Sequence, residues 1–143
     1  MIGKLNSTIE VTDLLRRHGI TSTLQRVEIA QTLFEKRQHL SAEQVLEKVN
    51  QGRNIVSKAT VYNTLRLFSQ KGLAKEIIAD PTKVFFEPAS TDHHHFFNVD
   101  TGELIDIEPS DVSIEGLPSA PGNAIIVGVD VIVRMRNNGH SAN

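Results

Sequence analysis

The sequence contains no cysteine among its 143 residues. Without thiols, the chain can form neither a disulfide framework nor a zinc site built from thiolates. It also lacks any apolar run near the ~20 residues that a membrane-spanning helix requires. Its first residues lack the apolar segment of a signal peptide. We therefore expect a cytoplasmic protein with no membrane partner.

Familiar catalytic motifs are missing as well. The sequence has no HExxH, no nucleophile motif and no glycine-rich phosphate loop. A catalytic metal site also needs an open coordination position, a pocket and a general base. These observations favour a protein that is not an enzyme. A small metal-dependent enzyme that uses histidine and aspartate, or a metal carrier, remains the alternative.

The charged residues are divided unevenly along the chain. Residues 1–88 carry 13 Lys and Arg against 9 Asp and Glu, whereas residues 89–143 carry 2 against 8. The first part is therefore modestly basic and the second acidic. This division is typical of a polyanion-binding module joined to a module with another role.

Four helices are predicted in the basic part from their N-terminal caps. The capping residues are Ser7, Thr23, Ser41 and Ser57. Two short strands are expected to follow at residues 73–79 and 84–87, joined by a turn. Helices followed by a β-hairpin predict a winged helix-turn-helix domain over residues 1–88.

The acidic part is predicted to be rich in strands, which gives the chain an α+β fold. Residues 89–91 have the composition of a hinge, and strands are expected at 96–99, 103–107 and 124–135. We assign residues 92–136 to a metal-binding dimerisation domain and 137–143 to a flexible tail. Such a small module cannot bury its apolar strand residues alone, so we expect a homodimer.

The fourth predicted helix has a polar side suited to DNA. If Val61, Leu65 and Phe68 face the core, the open side carries polar residues at helical spacing. These residues are Lys58, Tyr62, Asn63, Arg66 and Gln70. Lysine and arginine neutralise phosphates, asparagine reads adenine, and tyrosine packs on a thymine methyl group. Any surface helix shows mixed polar residues, but this side holds the only tyrosine of the chain.

Three consecutive histidines, His93, His94 and His95, make up half of the histidine in the chain. Alternate residues of a strand share a face, so His93 and His95 can bind one ion while His94 points away. Carboxylates lie nearby on both sides in the sequence, and this donor set suits Fe, Mn or Zn. The alternative reading is a solvated polar turn.

Several of these segments together resemble the ferric uptake regulator (Fur) family. Residues 57–65, with Lys71-Gly72-Leu73 after them, resemble its recognition helix and the exit from that helix. Residues 23–26 and 39–43 resemble the starts of its second and third helices. Residues 93–102 resemble its histidine-rich strand and turn. The resemblance covers about residues 8–136 and implies a dimeric transcription regulator of iron homeostasis that binds a double-stranded DNA operator.

The resemblance also implies site residues. The metal ligands of one regulatory site are then His39, Glu87, His93, His95 and Asp106. The DNA-binding residues are Arg26, Ser57, Lys58, Thr60, Tyr62, Asn63 and Arg66. Two of the five ligands belong to the winged-helix part and three to the acidic part. A metal that bridges both parts would tie its occupancy to operator fit.

Two departures from the family pattern point to one of its branches. The paired cysteines that hold a structural zinc in many members are absent, and the segment before the last strand is reduced to a turn at residues 117–122. These features resemble the iron response regulator (Irr) branch, in which heme is the signal. The implied heme ligands are His93, His94 and His95, since no cysteine exists and no tyrosine lies nearby in the sequence.

The position of Asp106 depends on the register of the second hairpin. A two-residue loop at Thr101-Gly102 would place Phe97 opposite Asp106. Directly opposed residues share a face, as do residues i and i+2 of one strand. Asp106 would then lie on the face of His93 and His95 and would reach His95 diagonally.

Overall fold

The structure is a computed structural model that describes residues 8–89 and 93–139. It divides into two compact units, Met1–Thr91 and Asp92–Asn143. Three sequence expectations lie wholly or partly outside the described residues. These are the Ser7 cap, residues 90–91 of the hinge and residues 140–143 of the tail.

Four helices form the first part of the winged-helix unit. They are α1 (Thr8–Arg17), α2 (Leu24–Phe34), α3 (Ala42–Asn50) and α4 (Lys58–Gln70). The side chains of Thr23, Ser41 and Ser57 each accept a hydrogen bond from the backbone N–H three residues later, as their positions predict. Ser41 forms the full capping box, because the side chain of Gln44 accepts from the Ser41 N–H at 2.9 Å.

The helices pack around a continuous apolar core. Leu15, Leu65 and Phe68 are completely buried there. The rings of Phe34 and Phe68 stack with their centroids 6.5 Å apart, which joins α2 to α4. Truncating one such phenylalanine to alanine typically costs about 3–5 kcal/mol. The core therefore fixes which side of α4 faces solvent.

A β-hairpin completes this unit. Strands β1 (Ala74–Asp80) and β2 (Lys83–Pro88) are antiparallel, and the Asp80 carboxylate accepts from the Thr82 N–H at 2.8 Å in the turn. Leu40 forms an isolated antiparallel bridge with Phe86 through N–H···O bonds of 2.9 Å and 2.7 Å. The bridge attaches the segment before α3 to the wing.

The second unit is a three-stranded sheet in the order β4-β3-β5. Its strands are β3 (His94–Asn98), β4 (Leu104–Ile107) and β5 (Ile132–Met135). Strand β3 pairs antiparallel with β4 and parallel with β5. Phe97 and Leu104 are buried on this sheet. The histidines therefore lie at the start of the central strand.

The predicted hairpin register is wrong by two residues. His95, rather than Phe97, lies opposite Asp106. The cause is the side chain of Asn98, whose Oδ1 accepts from the N–H groups of Asp100 and Thr101 at 2.9 Å and 3.1 Å. This turn occupies the residues that a two-residue hairpin would pair. A shift of two keeps every side chain on its predicted face.

The predicted strand at residues 124–135 is also wrong for most of its length. Only Ile132–Met135 is a strand, and residues 124–131 before it are not, although the Val131 carbonyl accepts from the His95 N–H at 3.1 Å. Val127 is 94% exposed and Ile125 is 81% exposed in the single chain. Alternation of apolar residues predicts a strand only where a neighbouring strand is present to pair with it.

Asn137 connects the segment after β5 to the turn after β3. Asn137, which the sequence assigns to the tail, accepts a hydrogen bond from the Asn98 amide at 2.9 Å and donates its N–H to Asp100 at 2.9 Å.

Over the two described ranges, every helix is too short or too polar to cross a membrane.

Candidate functional site

Helix α4 begins at a cap that engages two of the predicted DNA-binding residues. Ser57 Oγ accepts from the Thr60 N–H at 3.1 Å, and the Ser57 hydroxyl lies 2.9 Å from Thr60 Oγ1. Both side chains therefore hold the start of the helix. A third predicted residue, Arg26, is half-buried and donates to the backbone carbonyl of Thr21 at 3.0 Å.

The remaining predicted contacts are presented to solvent. The exposed residues of α4 include Lys58, Tyr62, Asn63, Arg66 and Gln70. The opposite side is buried in the core through Val61, Leu65 and Phe68. The helix thus offers two cations, two amides and one aromatic ring on a single open side.

Tyr62 and Arg66 are in contact with each other. The Arg66 guanidinium lies 3.5 Å from the Tyr62 hydroxyl and 5.8 Å from the centre of the Tyr62 ring. The hydrogen bond to Tyr62 raises the pKa of Arg66, and the negative charge of Glu76 on β1 raises it further. The two side chains form a coupled pair on the open side of α4.

Lys58 at the start of α4 lies beside an acidic residue of α3. Its Nζ is 3.5 Å from Oε1 of Glu43. A cleft of about 550 Å³ adjoins this pair, with Tyr62 of α4, Val84 of β2 and Thr82 of the wing turn in its lining.

In the winged-helix unit, two predicted metal ligands face one another across the Leu40–Phe86 bridge. The residue before Leu40 is His39, and the residue after Phe86 is Glu87. In an antiparallel bridge these flanking residues oppose each other and share a face. The His39 ring lies edge-on to Phe85 at 6.5 Å, and Glu87 is 8% exposed. These are the two ligands that the winged-helix unit contributes to the predicted set of five.

The second unit contributes the other three ligands, which lie on or next to the paired strands β3 and β4. His95 Nε2 lies 3.3 Å from Asp106 Oδ1, as their opposed positions in the ladder require. His93 precedes His95 by two residues, and both histidines are buried. The Asp106 side chain is 43% exposed. One imidazole and one carboxylate are thus already in contact, with a second imidazole at the position that shares their face.

His94 has a different environment. Its Nδ1 lies 3.1 Å from the backbone N–H of Val131, which donates to it. The neutral ring then carries its proton on Nε2. Binding iron through Nε2 would move that proton to Nδ1 and break the bond from Val131. The hydrogen bond therefore opposes ligation by His94, which the sequence predicts as one of three heme ligands.

Glu43 and Glu76 were not predicted as part of the site. No spacing rule links residue 43 with residue 58, or residue 76 with residue 66, because each pair joins different elements of the fold. The one available signal was the acidic residue in the first turn of α3, which is common at helix starts for reasons unrelated to DNA.

Comparison with known proteins decides the family. The sequence model described as "Ferric uptake regulator family" matches residues 17–119, which is more than half of the chain. The chain belongs to this family. The predictions of its α+β architecture and of a DNA-binding transcriptional regulator are thereby confirmed, as is the assignment to Fur.

Individual relatives agree with Fur membership. The chain is 38% identical over 100 residues to the ferric uptake regulation protein of Pseudomonas aeruginosa, covering 68% of this chain and 75% of that protein. It is 30% identical over 97 residues to the peroxide operon regulator of Bacillus subtilis, covering 68% of this chain and 67% of that protein. These relatives are named for ferric uptake and peroxide, so the finer assignment to the Irr branch stays a prediction.

Solved structures of Fur proteins have the same fold. The manganese-containing Fur of Pseudomonas aeruginosa gives a TM-score of 0.67 at 31% identity, covering 88% of this chain and 96% of that one. The Fur of Vibrio cholerae gives a TM-score of 0.69 at 22% identity, covering 88% and 98%, and supports the fold alone.

Proposed function

We propose that this chain regulates iron homeostasis as a homodimer on a double-stranded DNA operator, with a divalent metal as its signal. The observation that carries the metal response is the 3.3 Å separation of His95 Nε2 and Asp106 Oδ1. Two ligands about 2.1 Å from one ion lie about 3.0–3.4 Å apart for angles between octahedral and tetrahedral. The donor atoms and their spacing therefore fit a divalent ion.

The ligand set that we propose is His39, Glu87, His93, His95 and Asp106. Three nitrogens and two oxygens suit Fe(II), Mn(II) or Zn(II). A bound ion would supply a positive centre that these ligands share. Because the ligands come from both units, occupancy would restrict the orientation of the winged helix relative to the dimerisation domain. That orientation sets the spacing of two recognition helices on DNA.

We assign the domains accordingly. Residues 1–88 bind DNA, residues 89–91 act as a hinge, and residues 92–136 bind metal and dimerise. Residues 137–143 act as a tail. The exposed apolar residues at 125–131 support dimerisation, because a partner subunit could cover them. A regulator of this kind acts in the cytoplasm, where the DNA is, and is not an enzyme.

We further propose that the chain belongs to the Irr branch and responds to heme. The absence of cysteine supports this, as does the stretch from 112 to 131, which contains no helix. Heme ligation by His93 or His95 would compete directly with the divalent metal. Ligation by His94 would first have to break its hydrogen bond with Val131.

One experiment tests both parts of the proposal. Fluorescence anisotropy would follow binding of a DNA duplex, selected from a random pool, to metal-free, Mn(II)-loaded and heme-loaded protein. Tight binding by at least one form supports the regulator. Weaker binding with heme, by the same factor by which DNA weakens heme binding, supports the Irr assignment. Uniformly weak and sequence-independent binding by all three forms contradicts the proposed function, whereas indifference to heme contradicts only the Irr assignment.

A further inference from the structure

Lys58, one of the two cations on the open side of α4, has a carboxylate from a neighbouring element close by. Lys58 Nζ lies 3.5 Å from Glu43 Oε1, and both side chains are well exposed, at 69% and 68%. Glu43 is in the first turn of α3, whereas Lys58 is the first residue of α4. The contact therefore joins two separate helices at the surface that would meet DNA.

The second cation has a different environment. The Arg66 guanidinium lies 3.5 Å from the hydroxyl of Tyr62 on its own helix. Lys58 is thus already partly neutralised by Glu43 within the free protein.

We propose that Glu43 competes with DNA phosphate for Lys58 and so lowers the affinity of the protein for every DNA sequence. This inference rests on the proposed function, because it assumes that α4 meets DNA. Phosphate contacts position a protein on DNA and carry no sequence information. The competition therefore lowers specific and non-specific affinity by the same factor.

The competition also has a salt signature. Salt weakens the contact between lysine and phosphate, and this gives DNA binding its negative dependence on salt. Salt equally weakens the intramolecular pair that DNA must displace, which offsets part of that dependence. Removing the Glu43 charge removes the offset. The slope of log K against log salt should then become more negative, by up to about one.

The test compares charge-removing variants in DNA binding. Glu43→Gln and the control Glu35→Gln each remove one exposed carboxylate, and Glu35 lies at the end of α2, away from α4 in sequence. Each variant would be measured by anisotropy on the selected duplex and on a scrambled duplex, in whichever metal state of the parent binds. Urea unfolding would show that the variants are folded.

We expect Glu43→Gln to tighten binding to both duplexes roughly 2- to 5-fold, the range of an exposed ion pair. Glu35→Gln should change it by much less. The gain should fall to the control level when Glu43→Gln is made in a Lys58→Met background. Glu43→Asp, which keeps the charge but shortens its reach, should lie between parent and Glu43→Gln.

Three results would overturn the inference alone, and a fourth would overturn it together with the proposed function. Equal gains from Glu43→Gln and Glu35→Gln would show a general charge effect. A gain that persists without Lys58 would show direct repulsion of DNA rather than competition. If the parent binds neither duplex, the proposed function and this inference fall together. If the parent binds and the variants match it, only the inference falls.

Discussion

Tyr62 and Arg66 should contribute to DNA binding as a coupled pair, not as two independent contacts. Tyr62, if it packs on a base, contributes about 1–3 kcal/mol and specificity at one base pair. Arg66, if it meets a phosphate, contributes to every sequence and adds about one to the salt slope. The guanidinium lies 5.8 Å from the ring centre and 3.5 Å from the hydroxyl, so each side chain restricts the other.

The size of the coupling follows from the contact. An exposed cation–π pair corresponds to about a 2- to 5-fold change in an equilibrium constant. The Tyr62→Ala substitution removes the base contact of Tyr62 and also removes the ring that supports Arg66. The loss in affinity for Tyr62→Ala with Arg66→Gln should therefore be smaller than the product of the single losses, by about 2- to 5-fold. Tyr62→Phe should keep most of the coupling, since it keeps the ring.

The assay is anisotropy on the selected duplex and on single-base variants of it, over a range of salt. Tyr62→Ala should lose discrimination at one position, whereas Arg66→Gln should leave discrimination intact and flatten the salt slope. Gln70→Ala, on the same open side, is the matched control. Strictly multiplicative losses would refute the coupling. Parent-like binding by both single variants would refute the placement of α4 on DNA.

Three further predictions concern the metal ligands, the dimer and heme. Calorimetry should show a larger loss of Mn(II) affinity for the double variant His93→Ala/His95→Ala than for His39→Ala, because the two strand histidines are preorganised. Unchanged affinity of the double variant would exclude the site. Sedimentation should show a dimer held by residues 95–107 and 124–135, which Val127→Asp weakens without loss of folding, and a parent monomer at micromolar concentration would contradict this. Heme should displace the operator duplex from the parent, whereas a variant with alanine at all three consecutive histidines should keep the duplex bound and lose heme affinity.

The parts of the fold that sequence predicted are those governed by local chemistry. A helix cap depends on one side chain and a backbone group three residues away, so the starts of α2, α3 and α4 were placed correctly. Strand β5 pairs in parallel with β3, which begins at His94, so residues 124–130 lie beyond the end of the strand that would pair with them. Their apolar alternation was real, but the pairing that would satisfy their backbone was missing.

The candidate site divides in the same way. Alternation along one strand was enough to place His93 and His95 together and His94 elsewhere. The contact between His95 and Asp106 depends on the length of a turn, and the Asn98 side chain decided that length. His39 and Glu87 came from resemblance alone, because 47 residues separate their positions in the sequence and only the Leu40–Phe86 bridge relates them.

The turn after β3 makes the ligand set sensitive to the parity of insertions and deletions. Side chains of β4 alternate between faces, so a turn lengthened or shortened by one residue would rotate Asp106 to the side of His94. A change of two residues would keep Asp106 on the face of His95 and move it two positions along the strand. Over evolutionary time, length changes in residues 99–103 should therefore be tolerated in steps of two for folding and pairing. A single-residue change would remove one oxygen ligand and would also move Leu104 off its buried face.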